Sequence, residues 1–350
     1  MDSGTRSRCS LGRNDGRGVW RKSLRSLAAL FALSAMAAPA LAQEQLKIGI
    51  GFGLAFLPTY ICEDLKLVEK HAKEMHLDVK ASYQRFLGAG AMQGAIASGA
   101  IDMGPFGTAP LLMAWEQAKN TPRQILAVSG ITTMPLVLLS NQPNVRSIAD
   151  FRPADRIAMP TLSSPQMYLL EMQSEKILGR YDRLRGQVVA LSHADAIAAL
   201  VGGAGPVTAY FSSAPFTQIA LRDEKLHQVL SSEDVMNGKA SFLIMGATKG
   251  YIEAHPKIPE AIDKAMDEAA RVIHDDPRRA AQIYLAHEPA RTLDAAAIGA
   301  VLKENKDEFG SAVYGVQAFA DFLGRHGELK TPPQSWKEIV APALLNSPST

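Results

Sequence analysis

From residue 45 to residue 211 the sequence repeats one pattern: a short apolar or β-branched run, then a segment of helical spacing, joined by connections too long for a hairpin. Strands linked in this way pair mainly in parallel, and a parallel sheet needs helices on both faces. The first run, Leu46, Ile48 and Ile50, alternates as a strand and enters Gly51-Phe52-Gly53, a tight turn. A helix over 58–70 follows, then a strand over 77–83, a small-residue helix opened by Gly88-Ala89-Gly90 and ending at Ser98, a strand over 101–104, and a helix from Thr108 to Lys119.

A long β-type run over 124–140 can carry the chain from one lobe to another, and a second series begins after it. Its parts are a capped turn over 147–151, a strand over 156–159, a helix opened by Ser163-Ser164-Pro165 and ending at Leu178, and a strand over 187–191. A capping box at Ser192-His193-Ala194-Asp195 leads into a helix over 196–201, then come a strand over 207–211 and a loop over 212–216. The β-like stretch 241–247 can carry the chain back, and the remainder is helical: 259–273, 276–285, 294–304 and 316–324, with Pro332-Pro333 opening an extended surface tail. No Ser/Gly linker separates the halves. The expected organisation is therefore an α/β fold of two lobes, each with a mixed, mainly parallel sheet, joined by crossing strands with a ligand cleft between them. Lobe 1 takes 43–132 and 244–350, and lobe 2 takes 133–243.

Ahead of this pattern, Arg21, Lys22 and Arg25 precede an apolar run from Leu27 to Ala37, and Ala40-Leu41-Ala42 places small residues where a signal peptidase reads them. Residues 1–42 are thus expected to be a secretory signal cut after Ala42, which directs the mature chain to the periplasm. Of 37 basic and 35 acidic residues in the whole chain, that segment holds seven and two, so 43–350 carries 30 against 33. A balance of −3 offers no basic excess for phosphates, and aromatic residues at 7% offer little stacking surface, so no nucleic-acid partner is expected. At 47% hydrophobic and 21% charged the chain can bury a real core. The two cysteines fall on opposite sides of the cut, leaving Cys62 as a small buried apolar residue without a disulfide partner.

The chemistry-bearing residues form no catalytic set. Gly49-Ile50-Gly51-Phe52-Gly53 suggests a dinucleotide turn, but Phe56 stands where the third glycine belongs. The eight histidines show no metal-ligand spacing, so no metal and no cofactor are expected, although His193 follows a strand end where open α/β sheets bind ligands. Ser163 and Ser164 lack a nucleophile elbow. Ser164 can be a plain helix cap, or the same free amides and hydroxyls can hold an anion. Gly88, Ala89 and Gly90 stand at the equivalent place in lobe 1, with Thr108 opening the next helix. Three such starts aimed at one cleft would receive a small anion without any catalytic group. Phe52, Phe56, Tyr210 and Phe216, in or beside loops at strand ends, are expected to wall the cleft, with Gly53, Leu54, Ser212 and Ser213 in the same loops; anchoring of Phe56 and Phe216 to the core is the alternative. Arg85, three residues before Gly88, is the nearby candidate for a full counter-charge.

With these loops in hand the chain resembles a periplasmic solute-binding protein of an ABC importer, in the nitrate/sulfonate/taurine/thiamine-precursor group. The segments that carry the likeness are Leu46-Lys47-Ile48-Gly49, residues 97–104 (Ala-Ser-Gly-Ala-Ile-Asp-Met-Gly), Ser147-Ile148-Ala149-Asp150-Phe151, residues 194–200, residues 209–216 and the tail 331–337. Two departures occur: Pro105-Phe106-Gly107 follows Gly104, and Thr208 stands at an acidic position of the pattern. The resemblance implies a monomeric, non-enzymatic clamp that closes on a small ligand and is recognised by permease membrane subunits with their ATPase. It also admits a thiamine-precursor pyrimidine binder, a synthase-like enzyme of the same fold, and a module feeding a membrane sensor. The synthase needs a cysteine-rich segment that this chain lacks.

Overall fold

The computed structural model describes residues 43–87, 89–203, 205–288 and 293–345; residues 1–42, where a signal is expected, and Gly88 lie outside them. In chain order the first half of the fold comprises β1 (Glu44–Ile50), α1 (Leu57–Leu65), α2 (Leu67–Glu74), β2 (Val79–Arg85), α3 (Ala89–Ser98), β3 (Met103–Phe106), α4 (Thr108–Gln117) and β4 (Ile125–Thr132). The chain then crosses to β5 (Val137–Ser140), β6 (Arg156–Met159), α5 (Pro165–Leu178), β7 (Val188–Ala190), α6 (His193–Gly202), β8 (Val207–Ser212), α7 (Phe216–Ala220), β9 (His227–Ser231) and α8 (Ser232–Met236). It returns in β10 (Leu243–Thr248) and ends in α9 (Lys249–Ala254), α10 (Ile258–Asp275), α11 (Pro277–His287), α12 (Ala295–Glu304) and α13 (Val316–Arg325).

The strands form two five-stranded sheets, β2-β1-β3-β10-β4 and β7-β6-β8-β5-β9. In each, one strand runs against both neighbours: β10 is antiparallel to β3 and β4, and β5 is antiparallel to β8 and β9. Both reversed strands are the ones that arrive from the other sheet. The α/β, two-lobe expectation is met, with the sheets mixed in this specific way. Leu46, Ile48 and Ile50 are fully buried while Lys47 is exposed, which is the alternation read from the sequence. Gly49 between them is needed for close packing, since a Cβ there would lie 2.6 Å from Ile101 Cδ1.

Three elements differ from the sequence reading. The helix expected over 58–70 is broken at Lys66, whose φ of 51° ends α1 and lets α2 start on the next residue with Leu67 and Val68 buried. The tail is no surface strap: Ile339, Ala341 and Leu344 are fully buried, and the Ala341 amide donates to the Ala127 carbonyl at 2.7 Å. β4 is an edge strand, and the tail covers its unpaired groups. Residues 216–236, read only in part, hold α7, β9 and α8, five-residue pieces fixed by pairing and packing rather than by their own propensity.

The C-terminal helix α13 touches both halves. Phe319 and Phe322 share a buried cluster with Leu112 and Trp115 of α4 and with Met167 and Leu170 of α5. Arg325 and His326 each reach Glu175 of α5 at 2.8 Å, and the Tyr181 ring lies 4.0 Å from that of His326.

Under β4, Asp263 of α10 accepts from Ser129 Oγ at 3.2 Å, and burial, reinforced by the charge of Asp267, pushes its pKa to about 6 from 3.8. A carboxyl raised in the folded state binds its proton more tightly there than in the unfolded chain, so stability falls as pH rises between those two values. Asp263→Asn is therefore expected to flatten the decline in melting temperature between about pH 4 and pH 6. Equal slopes in parent and variant, read by thermal melts across that range, would contradict this.

Candidate functional site

The best-defined polar site lies where a helix start of one lobe meets a helix start of the other. Ser164 is the N-cap of α5, with φ −76° and ψ 157°, and Pro165 takes the first helical position, where its missing N–H costs nothing. Its side chain makes no cap hydrogen bond. Ser164 is only 8% exposed, and among the described residues its Oγ has no hydrogen-bond partner. A buried hydroxyl left unpaired is costly, so the plain-cap reading does not account for this residue. Of the first-turn amides, Pro165 has no N–H and Met167 donates to the Ser164 carbonyl at 3.0 Å, so the Gln166 N–H is the donor that accompanies the partial positive charge of this 14-residue helix. Ser163 beside it is exposed.

Opposite stands the start of α4. A Cβ on Gly107, its N-cap, would fall 2.7 Å from Pro165 Cγ, so the two helix starts touch. Thr108, the first residue of α4, is buried and donates through Oγ1 to the Ser241 carbonyl at 2.6 Å. Farther along the same pair of helices, Tyr168 Oη donates to Met113 Sδ at 3.2 Å.

A second group sits on lobe 2 at the start of α6. The ring of His193 stacks on Phe216, with centroids 4.3 Å apart and planes 8° from parallel, and its Nδ1 meets the hydroxyl of Tyr210. Burial holds His193 down at about 4, so the ring is neutral near pH 7, and burial pushes the Tyr210 phenol up, keeping it protonated. A buried hydroxyl avoids an orphaned donor by giving its proton to Nδ1, which leaves His193 Nε2 as an N–H donor. His193 supplies no positive charge.

The third group surrounds the turn after β1. Gly53 has φ 108°, and a Cβ there would meet nothing within 4 Å, so the turn borders open space. Its amide donates to Glu288 Oε1 at 2.6 Å, and the single proton of Tyr60 Oη is shared between the Gly51 carbonyl at 2.8 Å and that carboxylate oxygen at 2.9 Å. Phe52 and Phe56 are half-exposed, but Phe56 folds back on Gly51, whose hypothetical Cβ would lie 2.4 Å from the ring. Arg85, at the end of β2, is not free: it pairs with Glu63 at 2.8 Å and contacts His287.

The expected ligand contacts therefore divide. Ser164, Gly53, Gly90, His193 and Phe216 lie at helix starts or turns at the carboxyl ends of strands, and Phe52 and Ser163 keep exposed surface. Four expectations are revised. Leu54 and Tyr210 are fully buried core residues, the Thr108 hydroxyl is spent on Ser241, and Ser212 Oγ braces the sheet through the Val137 carbonyl at 2.8 Å and Thr217 at 2.7 Å. Ser213 is buried, and its carbonyl accepts from the Thr217 amide at 3.1 Å. Ala89 opens α3. No local sequence signal points to Glu288, a carboxylate at a helix end brought 235 residues back to Gly53 by the packing of α11 on α1. Among the described residues no group of three His, Cys, Asp or Glu side chains is placed to hold a metal ion, and no helix is long and apolar enough to cross a membrane.

No family model matches the chain, and no curated protein matches it. Solved structures do. The alkanesulfonate-binding protein SsuA from Xanthomonas axonopodis pv. citri, bound to MOPS, superposes with a TM-score of 0.63 at 20% identity, covering 85% of this chain and 97% of that one. The periplasmic aliphatic sulphonate binding protein SsuA from Escherichia coli gives 0.64 at 19% identity, over 85% and 92%. The periplasmic nitrate-binding protein NrtA from Synechocystis PCC 6803 gives 0.52 at 14% identity, over 75% and 70%. The chain has the two-lobed fold of these periplasmic binding proteins.

The contact between helix starts can be probed through Gly107, whose φ of −70° any residue adopts, so that only the missing Cβ matters. Gly107→Ala drives a methyl into the Pro165 ring and is expected to lower unfolding free energy by about 1–3 kcal/mol, the usual cost of overpacking. Urea unfolding measures it. Unchanged stability would mean that the two helix starts stand apart in solution.

Proposed function

We propose that this protein is the extracytoplasmic solute-binding component of an ABC importer, which captures a small anionic organic solute such as a sulfonate or carboxylate and delivers it to a membrane permease and its ATPase. The observation that carries the reading is the unpartnered, buried Ser164 Oγ at the start of α5, packed against the start of α4 from the other lobe. A solute acid placed there would accept from the hydroxyl and from the Gln166 amide. A ligand touching both lobes stabilises the arrangement in which they meet, and a permease can then recognise that surface. In the same reading residues 1–42 are a signal peptide removed after Ala42, the mature chain is a periplasmic monomer, and the lobes divide at about 132 and 243. The shared fold with sulfonate- and nitrate-binding proteins supports the choice of solute class. In this reading the residues at the helix starts bind rather than react: His193 is a neutral donor, and among the described residues Ser164 Oγ has no hydrogen-bond partner.

A thermal-shift screen of small sulfonates and carboxylates on the mature protein tests this, because a ligand at 100 times its Kd stabilises by about 2.7 kcal/mol. Against the acid so found, Ser164→Ala is expected to weaken binding by about tenfold, the loss of one hydrogen bond to a charged group, while Arg85→Gln has little effect because Arg85 already serves Glu63. Calorimetric titration reads both. Turnover of the acid by the purified protein, or full affinity in Ser164→Ala, would contradict the proposal.

A further inference from the structure

We infer that a second binding site, for a small alkylammonium ion, lies beside the segment that carries the chain from the first sheet to the second, in a cavity of about 240 Å³ between α7, β9 and the end of α12. It is separate from the helix starts described above and does not rest on the importer reading.

The cavity sits at the edge of the second sheet. Gln228 and Ser231 of β9 line it, and β9 pairs with β5 on the side away from β8. Ser164 and His193 follow β6 and β7, on the other side of β5. Met134 and Pro135 of the crossing segment form another wall, and Asn305, at the end of α12, completes it. The walls thus come from both lobes and from the joint between them, so an occupant is linked to the way the lobes stand.

The chemistry of the walls selects the occupant. Met134, Pro135, Val137 and Leu221 make an apolar surface, and Leu221 keeps 41% of its own area exposed. The hydroxyl protons are spent: Thr217 Oγ1 donates to Ser212 Oγ, which donates to the Val137 carbonyl, and Ser231 Oγ donates to Asp234. Asn305 Nδ2 donates to the Val301 carbonyl at 2.8 Å. Three acceptors on the walls have no hydrogen-bond partner among the described residues, namely the Glu233 carboxylate, Asn305 Oδ1 and the buried Gln218 Oε1.

No Lys, Arg or His lines the cavity. Lys239, which follows α8, is paired with Glu308 at 2.8 Å, and Arg222 and Lys306, chain neighbours of Leu221 and Asn305, make no ion pair with Glu233. Arg291, the one cation of 43–350 outside the described residues, precedes the start of α12, and Asn305 stands at the far end of that 10-residue helix, about 15 Å away. A carboxylate beside an apolar cavity with no cation on the walls favours a cationic guest, and a primary ammonium brings three donors to the spare oxygens. An anion meets the charge of Glu233, and a wholly apolar guest leaves the acceptors unpaired.

Titration of the isotope-labelled mature protein at pH 7 with butylammonium chloride, followed in proton–nitrogen correlation spectra, tests this, since an alkylammonium is fully charged at that pH. Saturable shifts are expected at Gln218, Leu221, Glu233 and Asn305. The neutral probe 1-butanol, with the same apolar body, is expected to bind about tenfold more weakly. Glu233→Gln should remove that advantage, and Glu253→Gln, at an exposed carboxylate of α9 outside the cavity, should leave it. Shifts that do not saturate, saturable shifts confined to residues 163–167 and 193, equal affinity for 1-butanol, or an advantage that survives in Glu233→Gln would each overturn the inference. Should Glu233→Gln fail to fold, the location of the shifts and the ratio to 1-butanol in the parent protein decide. None of these readouts involves an acid, so this inference and the importer reading stand or fall separately.

Discussion

The arrangement depends on the pairing of two reversed strands. β5 enters the second sheet between β8 and β9, and β10 re-enters the first between β3 and β4. Each is antiparallel to both neighbours and sits inside its sheet, so the crossings that deliver them are anchored by hydrogen bonds on two sides. Because the remaining strands of each sheet share a direction, the helix starts of each lobe gather at one end, and the crossings let two of those ends meet. Gly107 against Pro165 is the point where they touch. The helix α13 adds a second tie through Glu175, and the buried cluster that contains Phe319 and Met167 runs without a break from one half to the other.

The helix starts at these ends carry dipoles and hydroxyls. Arg85, four residues before the start of α3, is bound to Glu63. His193 is neutral because its ring is buried against Phe216 and Tyr210. Partial charges at helix starts contribute about 0.3–1 kcal/mol each near the surface and up to about 2 when partly buried, enough to hold a singly charged acid and poorly matched to a phosphate dianion.

The fold was largely readable in the sequence because its signals are local. The Leu46-Ile48-Ile50 alternation, Pro165 after Ser164, and the caps Ser147, Asp276 and Asp294 each act within a few residues, and each forms the expected element or cap. The candidate site was readable only in part. Helix starts were located from the same local signals, but the fate of each side chain was not, because Thr108 finds Ser241 133 residues away and Ser212 finds Val137 75 residues away. Tyr210 looked too large and too near a loop for the core, yet its hydroxyl is satisfied by His193, which lets the ring be buried completely. Glu288 lies beyond any local signal, since only the docking of α11 on α1 brings it to Gly53.

The central claim is that an acid is held at the start of α5. A crystal structure of the mature protein with the tightest-binding acid tests it most directly. The account predicts an acid oxygen about 2.7 Å from Ser164 Oγ and a second oxygen about 2.9 Å from a backbone amide in the first turn of the helix that begins at Pro165. An acid bound elsewhere, with Ser164 Oγ still unpartnered, would contradict it.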